Sequence, residues 1–308
     1  MYLRIFVSGL VNTIIQTLLS LLIVVYVTAQ CEDPDTLVVS IIPTEESIQE
    51  FNNYKPLINY LREKTGKKIE VYIPVSYSNI IDAMINNWVD VAILGPYTYT
   101  IANAMSANIR VFATIAKNTG YIQEAGPGYR SVLITRRGSP FTSIASLQNA
   151  SVDMIDPIST SGNLVPRTKF TQTIERPIEA FFGKIIYTGG HDLAALAVYE
   201  GEVDAAFVAT HRFENVIERG MVQKEYYNYL WFSEVIPQDP ICYRDTLCSD
   251  LKSKIEEAFL TFHAQPASSK FFSKINADRF IKITSEAYNV IRELKKTVDM
   301  QKAKRRQQ

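Results

Sequence analysis

The chain repeats itself. Tyr77-Ser78-Asn79-Ile80-Ile81-Asp82-Ala83-Met84 runs into Trp88-Val89-Asp90-Val91-Ala92-Ile93, and His191-Asp192-Leu193-Ala194-Ala195-Leu196-Ala197-Val198 runs into Glu202-Val203-Asp204-Ala205-Ala206-Phe207. Tyr77 precedes Asp90 by thirteen residues, as His191 precedes Asp204. Each copy reads as a short helix, a polar turn and an apolar strand. Two copies of one such unit predict two similar α/β lobes. Tyr77 and His191 then hold equivalent places, each just ahead of a helix. Ligands of open α/β sheets bind outside the carboxyl ends of strands, where such residues gather.

The rest of the chain fits that reading. Strands are expected at Leu37–Ile42, Ile69–Ile73, Val111–Ala116, Ser131–Thr135, Val152–Ile155 and Lys184–Tyr187. Helices are expected at Phe51–Lys64, closed by Gly66, and at Ile178–Phe182, Leu247–Phe262 and Ser285–Val298. Pro237 and Pro240 frame a segment that cannot be a central strand, because proline gives no ladder donor. With 308 residues, 47% of them hydrophobic, the chain is long enough for a sizeable core.

Asp156-Pro157-Ile158-Ser159-Thr160-Ser161-Gly162 places three hydroxyls in a row before a segment, Asn163–Phe170, that can start a helix. Ser and Thr favour the N-cap. A helix start also carries unpaired N–H donors and partial positive charge. Together these suit an oxyanion such as phosphate, phosphonate or sulfate. Pro166 falls too deep for a first helical turn, so this helix is expected to be kinked or short.

Lys plus Arg and Asp plus Glu both number 32, which argues against a nucleic-acid partner. The basic Lys302–Arg306 tail reads as a solvated end. No metal spacing appears, since His191, His211 and His263 are scattered, and no nucleophile–base pair stands out. Neither a cofactor nor an enzymatic activity is expected. After Arg4 no charge occurs until Glu32, and Val27-Thr28-Ala29 suits signal-peptide cleavage. The apolar stretch is also long enough to span a bilayer. Cleavage, retention as an anchor and lipidation of Cys31 stay open, and each exports the remainder to the cell envelope. An oxidising envelope would allow Cys242 and Cys248 to pair.

The Ser-Thr-Ser-Gly run with Leu164-Val165-Pro166 and Gly190-His191 with Ala195–Val198 resemble the phosphate/phosphite/phosphonate substrate-binding proteins of ABC transporters. Weaker matches are Gly95-Pro96 with Tyr99, Gly128–Ile134, Val203-Asp204 and Ile236-Pro237-Gln238-Asp239-Pro240-Ile241. The order and spacing hold from about Leu37 to about Phe262. The resemblance implies a two-lobed periplasmic-binding-protein (type II) fold with ligand in the cleft. Residues 36–125 and 238–290 would form lobe 1, 126–237 lobe 2, 291–308 a helical basic tail, and 1–30 the leader. It implies capture of a phosphorus oxyanion for an ABC permease. A membrane-anchored sensory domain of the same fold is the alternative.

On that resemblance Ser159, Thr160 and Ser161 hold the phosphorus oxygens, with His191 donating from a ring nitrogen. An oxyanion beside His191 would favour its protonated form. Tyr77 and Tyr99 close the cleft, each with a hydroxyl and an apolar wall. Asp239 matches an acidic residue that meets a substrate amine. The chain departs from the aminoalkylphosphonate binders at His211, where those carry a carboxylate. The repeat partner of His211 is Tyr97. The loss of that carboxylate favours phosphite, phosphate, methylphosphonate or another neutral alkylphosphonate.

Overall fold

The computed structural model describes residues 31–43 and 47–306. Expectations for the leader, residues 1–30, lie outside the described residues. Contacts divide the chain after Glu32, and the fold below is that of the unit beginning at Asp33.

Two sheets carry the molecule. The first has six strands in the order β13-β4-β12-β3-β1-β2. They are β1 (Thr36–Ile41), β2 (Lys68–Tyr72), β3 (Val91–Ile93), β4 (Ile109–Lys117), β12 (Ile241–Arg244) and β13 (Ala277–Lys282). The second has five in the order β10-β6-β9-β7-β8. They are β6 (Ser131–Arg136), β7 (Ser151–Asp153), β8 (Lys184–Ile186), β9 (Ala205–Ala209) and β10 (Tyr227–Phe232). Between the two runs a short antiparallel ladder of β5 (Gly128–Tyr129) and β11 (Ile236–Pro237). The chain thus passes between sheets twice, the architecture of a two-lobed binding protein.

The repeat read in the sequence is built into these sheets. β1 pairs in parallel with β2 and β3, and β7 pairs in parallel with β8 and β9. The repeated aspartates do the same work in each lobe. Asp90 Oδ2 accepts from Val38 N of β1 at 2.7 Å, and Asp204 Oδ2 accepts from Ser151 N of β7 at 2.8 Å. Each carboxylate satisfies a strand donor that would otherwise lack a partner. Arg244 pairs with Asp90 and completes a buried ion pair in the first lobe.

The helices follow the same logic. α1 (Ser47–Thr65) packs on β2 and on α8 (Ser249–Thr261) and α9 (Ser268–Lys274). α2 (Tyr77–Ile85), α3 (Pro96–Met105), α6 (His191–Glu200) and α7 (Thr210–Glu218) begin beside the strand ends that lead into the cleft. Short helices α4 (Thr171–Ile174) and α5 (Ile178–Phe181) cover the second sheet through Phe170, Phe181 and Phe182. The segment holding Pro166 does not stop at the proline. It runs as two π-helical turns, Thr160–Leu164 and Pro166–Phe170. The wider bonding pattern absorbs the missing proline donor: Val165 N reaches Thr160 O, and Thr171 N reaches Pro166 O.

The last helix, α10 (Asn289–Arg306), extends past the expected end at Val298. Ile291 and Val298 are buried with Tyr97 of α3 and with Leu164 and Val165 of the π-helical segment. It therefore packs on elements of both lobes.

Five strands escaped the sequence reading: the short β5 and β11, the edge strand β10, and β12 and β13. β12 sits in the middle of the first sheet immediately after Pro240, and β13 forms that sheet's edge. The proposed Cys242–Cys248 bond is absent. Cys242 is a free, buried thiol on β12, whereas Cys31 and Cys248 are disulfide-bonded. Cys242 lies between β3 and β4, inside a sheet core, and Cys248 sits beyond the strand at the start of α8.

Candidate functional site

Helix starts bring the polar residues together. Ser76 caps α2 by accepting from Asn79 N at 3.1 Å. Ser159 caps the π-helical turn by accepting from Gly162 N at 3.1 Å. Gly162 is required there, because an added Cβ would lie 2.3 Å from Ile155 and 2.9 Å from Ser159 Oγ. Ile155 itself holds a left-handed φ of 65°, a strained state for a β-branched residue. The bonds Ile155 N to Asp153 Oδ1 and Gly189 N to Ile155 O hold it there.

Helices α3, α6 and α7 lack a cap from their own N-cap side chains. For α3 the donor is met from the other lobe: Thr160 Oγ1 accepts from Tyr97 N at 2.8 Å. Thr98 Oγ1 also donates to Ile158 O at 3.3 Å. Tyr129, on the crossing strand β5, is buried beside the hydroxyls of Thr160 and Ser161. Its ring meets His211 edge-on, with centroids 4.5 Å apart. His211 Nε2 stands 3.4 Å from Asp239 Oδ2, and Arg212 donates to the same oxygen at 3.1 Å. Tyr77 and His191 border one recess with Arg212 and Asn215. His211 and Asp239 border a second recess with the same two residues. Asp156, leading the Ser-Thr-Ser loop, lies beside the start of α2 at Tyr77, so loop and helix start meet across the cleft.

Burial fixes the protonation states. His191 Nδ1 accepts from Ala209 N at 3.1 Å, which leaves the ring proton on Nε2. Burial, then Arg212 and His211, lowers its pKa to about 3. His191 is thus a neutral Nε2–H donor at neutral pH. Burial lowers His211 to about 4 despite Asp239. Burial also opposes ionisation of Asp239, but His211 and Arg212 hold its carboxyl below the usual range. Tyr77 is raised, mainly by burial, and stays a phenol. Neutral hydroxyls, a neutral imidazole N–H and a guanidinium form a donor-rich pocket for an anion.

Thr160, Ser161, Tyr77, His191, His211 and Asp239 are therefore brought into one neighbourhood. Ser159 serves as the cap beneath them. Tyr99 is not with them: its hydroxyl donates to Ser285 Oγ at 2.9 Å and its ring packs on Tyr288. Two residues apart on a helix, Tyr97 and Tyr99 face different sides. Sequence reasoning missed Arg212, Tyr129, Asn215 and Gln238. Tyr129 lay inside the matching Gly128–Ile134 run, and Arg212 adjoins His211, but no local pattern marked either. Among the described residues no group of His, Cys, Asp and Glu could hold a metal ion.

Comparison with known proteins agrees with this geometry. Residues 39–288 match the family described as ABC transporter, phosphonate, periplasmic substrate-binding protein. The chain is 29% identical over 249 residues to the phosphate-import protein PhnD of Mycolicibacterium smegmatis, covering 78% of this chain and 75% of that one. It is 29% identical over 248 residues to the phosphonates-binding periplasmic protein of Escherichia coli, covering 79% and 71%. A binding component of an ABC phosphonate transporter from Pseudomonas aeruginosa superposes with a TM-score of 0.78 at 25% identity, over 85% and 86% of the two chains. PhnD1 of Prochlorococcus marinus, solved with methylphosphonate, shares the fold with a TM-score of 0.76 at 18% identity, over 87% and 99%. A family match spanning most of the chain, two lobes joined by two crossings and an oxyanion-type loop between them lead to one conclusion: this chain belongs to the periplasmic phosphonate substrate-binding proteins of ABC transporters.

Proposed function

We propose that the chain, exported by its leader, captures a small phosphorus oxyanion without an amine and hands it to a membrane permease. Thr160, Ser161 and Tyr129 supply hydroxyls, and Tyr77 with the Nε2–H of His191 closes on the remaining oxygens. The observation that carries the choice of ligand is the group around Asp239. Its one carboxylate is already met by Arg212 at 3.1 Å, and the neighbouring position holds His211 rather than a second carboxylate. An ammonium brought into this cleft would meet a guanidinium and lack a free acid, and an unpaired buried charge is expensive. Methylphosphonate, phosphite and phosphate avoid that conflict. The Prochlorococcus relative was solved with methylphosphonate, and the Mycolicibacterium relative is a phosphate-import protein.

Competition calorimetry tests the reading. Methylphosphonate or phosphite should bind about tenfold or more tightly than 2-aminoethylphosphonate, a difference of ~1.4 kcal/mol. His211→Glu should move the preference toward the amine. A wild-type preference for the amine would show that Asp239 suffices as its partner.

A further inference from the structure

Two loops of the second lobe carry its candidate ligand groups, and they leave neighbouring parallel strands. β7 runs out through Ile155 to the Ser159–Ser161 hydroxyls, and β8 runs out through Thr188 to His191. One buried carboxylate joins them. Asp153, the last residue of β7, is 0% exposed and borders neither recess of the cleft. Its Oδ1 accepts from Ile155 N at 2.7 Å and from Thr188 N at 3.4 Å. Gly189 N donates to Ile155 O at 2.7 Å, and Thr188 Oγ1 donates to Gly190 O at 3.2 Å, just ahead of α6.

The bracing acts at Ile155. Its left-handed φ of 65° is unfavourable for a β-branched residue, and such a state persists only where its surroundings over-determine it. Held there, its side chain lies against the backbone of Gly162, since a Cβ on that glycine would be 2.3 Å from Ile155 Cγ1. An ordinary backbone conformation at Ile155 would redirect that side chain and take the support from beneath Ser161 and Gly162. The other oxygen of the carboxylate, Asp153 Oδ2, has no donor among the described residues. A buried carboxylate with one oxygen unmet is a poor device for stability alone. What it achieves is the clasp of two loops through Oδ1.

We infer that Asp153 is a positioning residue for oxyanion binding: through Ile155 and Thr188 it sets the hydroxyl loop and His191 in register with each other. The inference rests on the phosphorus-oxyanion reading above and adds the group that holds its parts in place.

Calorimetry and thermal melting of the protein isolated from the cell envelope test it, with methylphosphonate as the probe. Asp153→Ala, which leaves Ile155 N and Thr188 N without their acceptor, should bind at least tenfold more weakly than wild type. Asp153→Asn keeps an acceptor oxygen and puts its amide nitrogen where Oδ2 has no donor to lose, so its affinity should stay within threefold. Ile255→Ala, in the core of the first lobe and 0% exposed, lowers Tm from a remote site, and its affinity should also stay within threefold. Should Asp153→Ala fail to fold, Ile155→Gly removes the support beneath Gly162 while accepting the left-handed φ without strain, and the same tenfold loss is expected. Unchanged affinity in whichever of these two variants folds overturns this inference alone. So does a loss in Asp153→Asn or Ile255→Ala as large as theirs. Failure of the wild-type protein to bind methylphosphonate, phosphite or phosphate overturns the inference together with the reading beneath it.

Discussion

Replacing Thr160 by Val and Ser161 by Ala in one protein separates the two tasks of the hydroxyl loop. Thr160 is 3% exposed and Ser161 1% exposed, so water cannot replace what is removed. Thr160 Oγ1 accepts from Tyr97 N, a buried donor at the start of α3. Leaving that donor unmet costs about 1–3 kcal/mol. For a chain of this size each kcal/mol lowers Tm by roughly 2–4 °C, so the variant should melt a few degrees early but stay folded. Binding should fall further. A hydrogen bond to a charged group contributes about 1.5–3 kcal/mol, and two adjacent ones do not simply add. Counting only one gives a loss of about tenfold or more in affinity for methylphosphonate. Calorimetry reads the affinity and scanning calorimetry the stability. A folded variant with unchanged affinity would refute the assignment of this loop to the ligand.

Three other outcomes follow from the structure. Stability should fall on acidification below pH 6.5. His191 and His211 have folded pKa values of about 3 and about 4, below the unfolded value, so the unfolded chain takes up protons first. Each can remove up to ~1.4 kcal/mol per pH unit in that window. Asp153 and Asp156, raised chiefly by burial, oppose the trend, and a Tm that stays flat from pH 7 to 5 would contradict the buried neutral histidines. Alkylation of the unfolded, unreduced protein should label Cys242 alone, whereas a lipid on Cys31 would contradict the disulfide state found. Ile291→Ala, at the contact of α10 with α3 and the π-helical segment, should cost about 2–5 kcal/mol, and an unchanged Tm would show that α10 does not hold these elements together.

The two-lobed plan was legible because the repeat carries its own structural reason. Asp90 and Asp204 bond the same strand position in each lobe, so their matched spacing was a constraint, not a coincidence. The hydroxyl loop was legible because capping residues are local signals. What was hidden depends on distant chain. Arg212 matters through Asp239, which arrives on the second crossing. Tyr129 matters through Thr160 and Ser161 in the other lobe. β12 has only four residues after a proline, and its place in the sheet comes from the partners β3 and β4. Tyr99 points to Ser285 and Tyr288, which stayed hidden because the Gly95-Pro96 match fixes the start of α3 but not the direction each side chain takes. The paired cysteines were read from nearness in sequence, although a buried strand position such as Cys242 has little access to a partner.

The central claim is that this cleft holds a phosphorus oxyanion. Calorimetric titration of the envelope-isolated protein with methylphosphonate, phosphite, phosphate and sulfate tests it most directly. Saturable one-site binding of at least one phosphorus compound is expected, with a matching rise in Tm, since a ligand that binds only the folded form stabilises it. No heat and no thermal shift with any of the phosphorus compounds would contradict the account.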